Sequence, residues 1–363
     1  MKDRDQKRAA IQFSVANRWF PQLEIGVLPK NPLSEKTVLA TDLDVYSSIP
    51  DALRGYRTLV FDCKTRARES AINRCFWLQG VMTRMAADQG FSILRKDKRE
   101  LDHRLMANGL GIILLDEKEF EVYAEATTPG YKKVCSKITD LDTWEYLFSI
   151  ATKYPNLSPA LTFLRSTYWM LDDSAQACRK TLAELRKLHP ELDPAKPEHK
   201  AVFLEFCALF ARSLALMCCT IFKAYFKPAR QEDLSEALLI LLYGGREAYD
   251  YRNELYRRLA AGTGRTPGTE LTLPEWDRFV QLFRQLLDAP LESQRVPLMF
   301  RETTFCTLTS DSELSFVRTL FAESPQGAKF LFLIASYLCK ATQLPPDFAK
   351  QVDSSLLPLI PIK

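Results

Sequence analysis

A chain of 363 residues with 47% hydrophobic and 26% charged residues has the composition of a folded protein, which excludes disordered, fibrous and collagen-like classes. Its net charge of +4 is too small to argue for or against a polyanionic partner, so only local clustering is informative. Nine cysteines without a CxxC pair and only three histidines exclude a short-motif zinc site; dispersed among apolar neighbours, the cysteines fit small core residues in a reducing compartment.

The opening residues, MKDRDQKRAA, are charged and lead into no apolar stretch, which argues against a secretory signal and for a cytoplasmic location. Up to residue 126, β-type runs alternate with amphipathic ones. VLATDLDVY, RTLVFDCKT, GFSILR, LGIILLD and EFEVYA predict strands, and residues 69–89 and 98–108 predict helices closed by Gly90 and Gly109. Beyond residue 126 the strand signals fade. Helical periodicity covers 142–153, 161–188, 198–226, 231–261 and 275–287, so this half is expected to be all-α. Its most apolar stretch, 201–226, carries Glu205, Arg212 and Lys223, which predicts a buried helix and no membrane span. The Gly-rich segment 260–270 lacks the Lys-Ser/Thr pair of a phosphate loop and reads as a connector. Two domains are expected, 1–126 and 127–363, since single cores seldom grow past about 250 residues.

Side chains alternate along a strand, so in LVFDCK the pair Asp62 and Lys64 share one face. In TDLDVY, Asp42 and Asp44 share a face in the same way. If the two strands pair as a hairpin, Asp44 and Asp62 converge. Two carboxylates give a hard-oxygen site suited to Mg²⁺ or Mn²⁺, and a neighbouring ammonium can orient water or offset charge on a phosphoryl group. Between residues 54 and 104 there are 12 basic and 6 acidic side chains, a local surplus that could meet a phosphate backbone, with Arg66, Arg68, Arg95, Lys96, Lys98 and Arg99 as the candidate contacts.

TDLDVY followed by YRTLVFDCKTR resembles the PD-(D/E)xK motif of Holliday-junction resolvases and type IV restriction endonucleases, and the order of elements around it, over residues 6–125, resembles that core. The resemblance implies an α/β restriction-endonuclease-like N-terminal domain joined to an all-α C-terminal domain. It implies a Mg²⁺- or Mn²⁺-dependent nuclease acting on DNA, of the kind found in restriction and anti-phage systems. Asp44 would take the first acidic position with Asp42 as its substitute, Asp62 the second, and Lys64 the lysine; Asp44 and Asp62 would hold the metal. The sequence departs from the pattern where many relatives carry a glutamate in the first helix: residues 2–19 offer only Gln6 and Gln12. The helical half would then recognise a protein partner or a nucleic-acid feature, and a homo-oligomer is open; the alternative is a catalytically inactive nuclease-fold subunit, binding DNA or acting as a scaffold of a larger complex, in which the helical half is the working part.

Overall fold

The structure is a computed structural model that describes residues 1–29, 38–65, 70–95, 101–262 and 270–360. Five strands form one sheet in sequence order: β1 (Phe20–Val27), β2 (Thr41–Asp51), β3 (Gly55–Lys64), β4 (Gln89–Leu94) and β5 (Ile112–Asp116). The first three are antiparallel and the last three parallel. Helix α1 (Arg4–Ala16) precedes the sheet, α2 (Ala71–Met85) joins β3 to β4, α3 (Leu101–Gly109) joins β4 to β5, and α4 (Glu117–Thr127) follows. The β2–β3 connection is a tight turn around Leu53, because Ile49, Pro50 and Tyr56 continue the ladder.

Helices α1 and α4 cover one face. Ser14 of α1 bonds Ser47 Oγ at 2.7 Å, and Phe13, Phe61, Phe91 and Phe120 meet edge to face or stacked. The other face carries α2 and the helical half, of which α5 (Leu141–Lys153), α6 (Ser158–Arg165), α7 (Ser174–Lys187) and α8 (Pro197–Tyr225) come first. Then follow α9 (Gln231–Tyr243), α10 (Arg246–Gly262), α11 (Trp276–Asp288), the short α12 (Pro290–Ser293) and α13 (Val296–Thr309), and last α14 to α16 (Ser315–Glu323, Pro325–Ala341, Asp347–Leu356). By length and composition α8 could cross a membrane, but it is buried on nearly all sides by protein, as its internal charges predict.

One apolar core runs from the sheet into these helices. Polar staples follow it: Tyr56 donates to Gln294 O at 2.7 Å, Arg212 of α8 reaches Ser48 and Tyr46 on β2, and Arg301 of α13 is buried between Glu205 and Pro21 O of β1. Eight of the nine cysteines are buried and all are free, as the sequence led us to expect; Cys135 is exposed.

Five expectations need correction. EFEVYA is the helix α4, because Asp116 and Glu119 form a reciprocal capping box and Phe120 and Ala124 bury one face at helical spacing while Val122 stays exposed. Strand β1 escaped prediction because Pro21, Glu24 and Gly26 interrupt its apolar run. The segment 161–188 is two α-helices parted by a short 3-10 helix, Thr167–Met170, and 231–261 is broken by Gly244 and Gly245 in positive-φ conformations. Helix α2 stops at Ala86, itself left-handed, and Gly90 lies within β4. Most of the expected connector, 263–269, lies outside the described residues.

Candidate functional site

The site forms where the sheet opens. The β2–β3 ladder runs from Asp51–Gly55 to Val45–Phe61 and stops there, one step short of placing Asp44 against Asp62. The next donor, Cys63 N, turns to the Asp44 carboxylate at 2.8 Å, so a side chain replaces a ladder carbonyl and the strands part around it. On the other side of β2, the pairs Leu23–Val45 and Ile25–Leu43 bracket Glu24 and Asp44. Glu24 has φ 51°, a left-handed conformation that costs a non-glycine residue energy and turns its side chain out of the strand's ordinary alternation. Beyond β3, Asp62 pairs with Ser92 of β4, whose hydroxyl is 3.5 Å from it. Glu24, Asp44 and Asp62 therefore stand side by side on three adjacent strands.

Carboxylates so placed repel, and cations are interleaved between them. Lys7 Nζ of α1 lies 2.6 Å from Glu24 Oε1 and 3.0 Å from Asp44 Oδ1. Lys64 Nζ lies 3.2 Å from Asp44 Oδ2 and 3.9 Å from Asp62 Oδ1. Arg74 of α2 holds both oxygens of Asp62, Nε at 3.0 Å and Nη2 closer, with its guanidinium 4.0 Å over the Trp77 ring. Arg165 of α6 closes the other end on Glu24, at 3.0 Å. The chain Arg165, Glu24, Lys7, Asp44, Lys64, Asp62, Arg74 thus alternates in sign, four cations with three anions.

Burial differs sharply along it. Asp62 is fully buried, and burial raises its pKa above the ordinary carboxylate range against the opposing pull of Arg74. Burial works against the Lys7 ammonium too, but Asp44 and Glu24 outweigh it and hold its pKa above that of an ordinary lysine. The Cys63 thiol, buried beside these acids, is pushed up and stays neutral. At the rim, Gln6 donates to Lys64 O at 3.0 Å and to Glu117 at 2.9 Å, and its own buried carbonyl oxygen has no hydrogen-bond partner among the described residues. Asp3 accepts from the Thr65 backbone and hydroxyl, fixing the start of α1 to the end of β3.

The structure brings Asp44, Asp62 and Lys64 together. It leaves Asp42 exposed, one turn of the pleat away, beside a 260 Å³ cavity lined by Gln22, Arg165 and Glu205. Arg95 is exposed, and its backbone N–H bonds Lys64 O at 2.9 Å. Arg66, Arg68, Lys96, Lys98 and Arg99 lie outside the described residues. Of the other basic side chains in that stretch, Arg54, Arg57 and Arg104 are paired with Asp88, Asp51 and Glu119, so the described part of the surplus is largely neutralised locally.

Asp44 and Asp62 supply the hard oxygens that Mg²⁺ or Mn²⁺ prefers, and one or two carboxylates suffice where substrate oxygens complete the shell. The donor type fits. The same oxygens already hold cationic or N–H donors, and the described residues contain no group of three or more His, Cys, Asp or Glu side chains placed to hold a metal. An entering ion must exchange with a resident cation, and Lys64, a third exposed, is the one with a way out to solvent.

Comparison with known proteins returned no matching family model, no matching curated protein and no matching solved structure.

Proposed function

We propose that this chain is a nuclease of the PD-(D/E)xK type that hydrolyses phosphodiester bonds, with DNA as the expected substrate. The observation that carries this reading is the meeting of Asp44, Asp62 and Lys64 at the point where β2 and β3 part, in a sheet whose strands turn from antiparallel to parallel. Asp44 and Asp62 would hold a divalent ion, which when bound supplies Lewis acidity and a more acidic water. Lys64 presents an ammonium at the open end of the site, where it can offset the charge that builds on a phosphoryl group. Cys63 N–H fixes the Asp44 carboxylate, and Arg74 with Ser92 fixes Asp62, so neither acid is free to rotate away from the opening.

A second reading has its own support. Lys7, Lys64 and Arg74 already neutralise both aspartates, which is what a nuclease-fold subunit that binds nucleic acid without cutting it would need to keep its acids buried. Incubation of the purified chain with single-stranded, duplex and branched DNA and with RNA, in Mg²⁺, in Mn²⁺ and in chelator, separates the two. Metal-dependent cleavage supports the nuclease. Binding that weakens steeply with salt, without cleavage, supports the subunit. Neither binding nor cleavage overturns both.

A further inference from the structure

The interleaved cations are not equivalent. Lys7 is 3% exposed, whereas the Lys64 side chain is 33% exposed. The reason lies in the sequence of α1: Lys7 falls on the same stripe as Ala10, Ile11 and Ser14, the stripe that packs on the sheet, so its stem is held on both sides before its ammonium meets any acid. Lys64 stands at the last position of β3 and its ammonium can leave Asp44 for water without disturbing the core. Two carboxylates of adjacent strands, Glu24 and Asp44, converge on the Lys7 nitrogen, and Arg165 holds Glu24 there through both its carboxylate and its backbone carbonyl.

We infer that the Lys7 ammonium is a built-in counter-ion filling the place between Glu24 and Asp44, so that the site accepts at most one divalent ion, on the Asp62 side of Asp44. The inference rests on the nuclease reading for the Asp44–Asp62 ion, but the role of Lys7 does not require that the chain cleave anything. A Mg²⁺ or Mn²⁺ ion bridging Glu24 and Asp44 would need oxygens at about 2.0–2.2 Å from one point, and that point is taken by a nitrogen with no path outward. Remove the nitrogen and Glu24 and Asp44 face each other with cations only on their outer sides, Arg165 and Lys64, which leaves room between them for an added cation.

The test uses the full chain and Mn²⁺ alone. Titration calorimetry and thermal melts with and without Mn²⁺ are run on the parent, Lys7→Met, Lys7→Arg and the double variant Lys7→Met/Glu24→Gln. The parent should bind no more than one Mn²⁺ per chain. Lys7→Met should bind one more than the parent, melt lower in its absence, and recover several degrees in millimolar Mn²⁺. Lys7→Arg should behave as the parent. The double variant, with one acid fewer, should fold without Mn²⁺ and lose the added ion. If Lys7→Met binds the same number of ions as the parent, or gains no more stability from Mn²⁺ than the parent does, the inference is overturned. It is overturned equally if Lys7→Met folds neither with nor without Mn²⁺ while the double variant folds and still takes up the added ion. Failure of the nuclease reading would show separately, as a parent that does not cleave, and would leave the difference in ion count between parent and variant intact.

Discussion

Arg74 grips Asp62 with two hydrogen bonds while its guanidinium stacks 4.0 Å over Trp77. The pair is almost wholly closed to water, at 12% and 0% side-chain exposure. Breaking such a pair from one side strands the other charge, which typically costs about 3–5 kcal/mol, whereas removing both partners costs much less. Arg74→Met and Asp62→Asn are therefore each expected to lower the denaturation midpoint markedly, and the double variant to be more stable than the sum of the two losses implies. Strictly additive losses in a denaturant-melt cycle would show that the two residues do not act as a pair.

The Arg301–Glu205 pair makes a similar argument at the scale of the whole chain. Arg301 is fully buried, joins α13 to α8 through Glu205, and donates to Pro21 O of β1. The sequence places a change of texture near residue 126, and the last strand, β5, ends at Asp116 with α4 closing at Thr127, but the core and these buried charges run across that point. A single cooperative melting transition is the expected result for the parent. Arg301→Leu should lower stability of the sheet and the helices together, as followed by amide hydrogen exchange in the strands and in α8 and α13. Two separated transitions, or a loss confined to one part, would contradict this coupling.

Glu198, in the first turn of α8, accepts from Tyr146 at 2.8 Å and pairs with Lys153. Burial tends to raise its pKa, but Lys153, a backbone N–H and Tyr146 outweigh burial and lower it from the usual 4.5 to about 2. The sign follows from linkage: the unfolded chain binds the proton more tightly, so this stabilisation is complete above pH 4.5 and is lost as pH falls towards 2. Tm should thus fall across that window in the parent and fall less in Glu198→Gln. Equal slopes in the two proteins would remove Glu198 from the account of acid sensitivity.

Much of the site could be read from strand alternation alone. Asp44, Asp62 and Lys64 reveal themselves because each interrupts a run of residues whose neighbours, Leu43, Val45, Phe61 and Cys63, are plainly core. The residues that neutralise them were missed for two different reasons. Lys7 and Arg74 sit in helices rich in charge, where a cation normally means a solvated face; their places on the buried stripes, Lys7 with Ala10 and Ser14, Arg74 with Ala71 and Leu78, were the available signal. Glu24 was lost with β1, and its left-handed backbone has no sequence signature in a residue other than glycine or asparagine. The sequence also makes the acids look like a cluster of like charges, for which Asp62→Asn would relieve repulsion. With Arg74 closed on Asp62 the opposite sign is expected, because the substitution takes from a largely buried guanidinium the carboxylate that it holds with two hydrogen bonds.

Lys64 offers the cleanest separation of chemistry from folding. Its ammonium lies 3.2 Å from Asp44 and 3.9 Å from Asp62, at the last residue of β3, and a third of its side chain meets solvent. Lys7 remains on Asp44 and Arg74 on Asp62 when Lys64 is truncated, so neither aspartate is left without a cation and Tm should stay close to that of the parent. If Lys64 faces a phosphoryl group during cleavage, its loss removes a charge that matters more in the transition state than before it, typically on the order of a hundredfold in rate. Lys64→Ala should therefore reduce single-turnover cleavage in Mg²⁺ or Mn²⁺ by about that factor, with a much smaller change in DNA affinity. Lys64→Arg should recover only part of the rate, since a planar fork does not present charge as a compact ammonium does. A protein that binds without cutting gives a different pattern: Lys64→Ala would weaken DNA binding modestly, as one phosphate contact does, and reduce its salt dependence by a single charge. An active parent whose Lys64→Ala variant cleaves at an unchanged rate would place the chemistry elsewhere in the molecule.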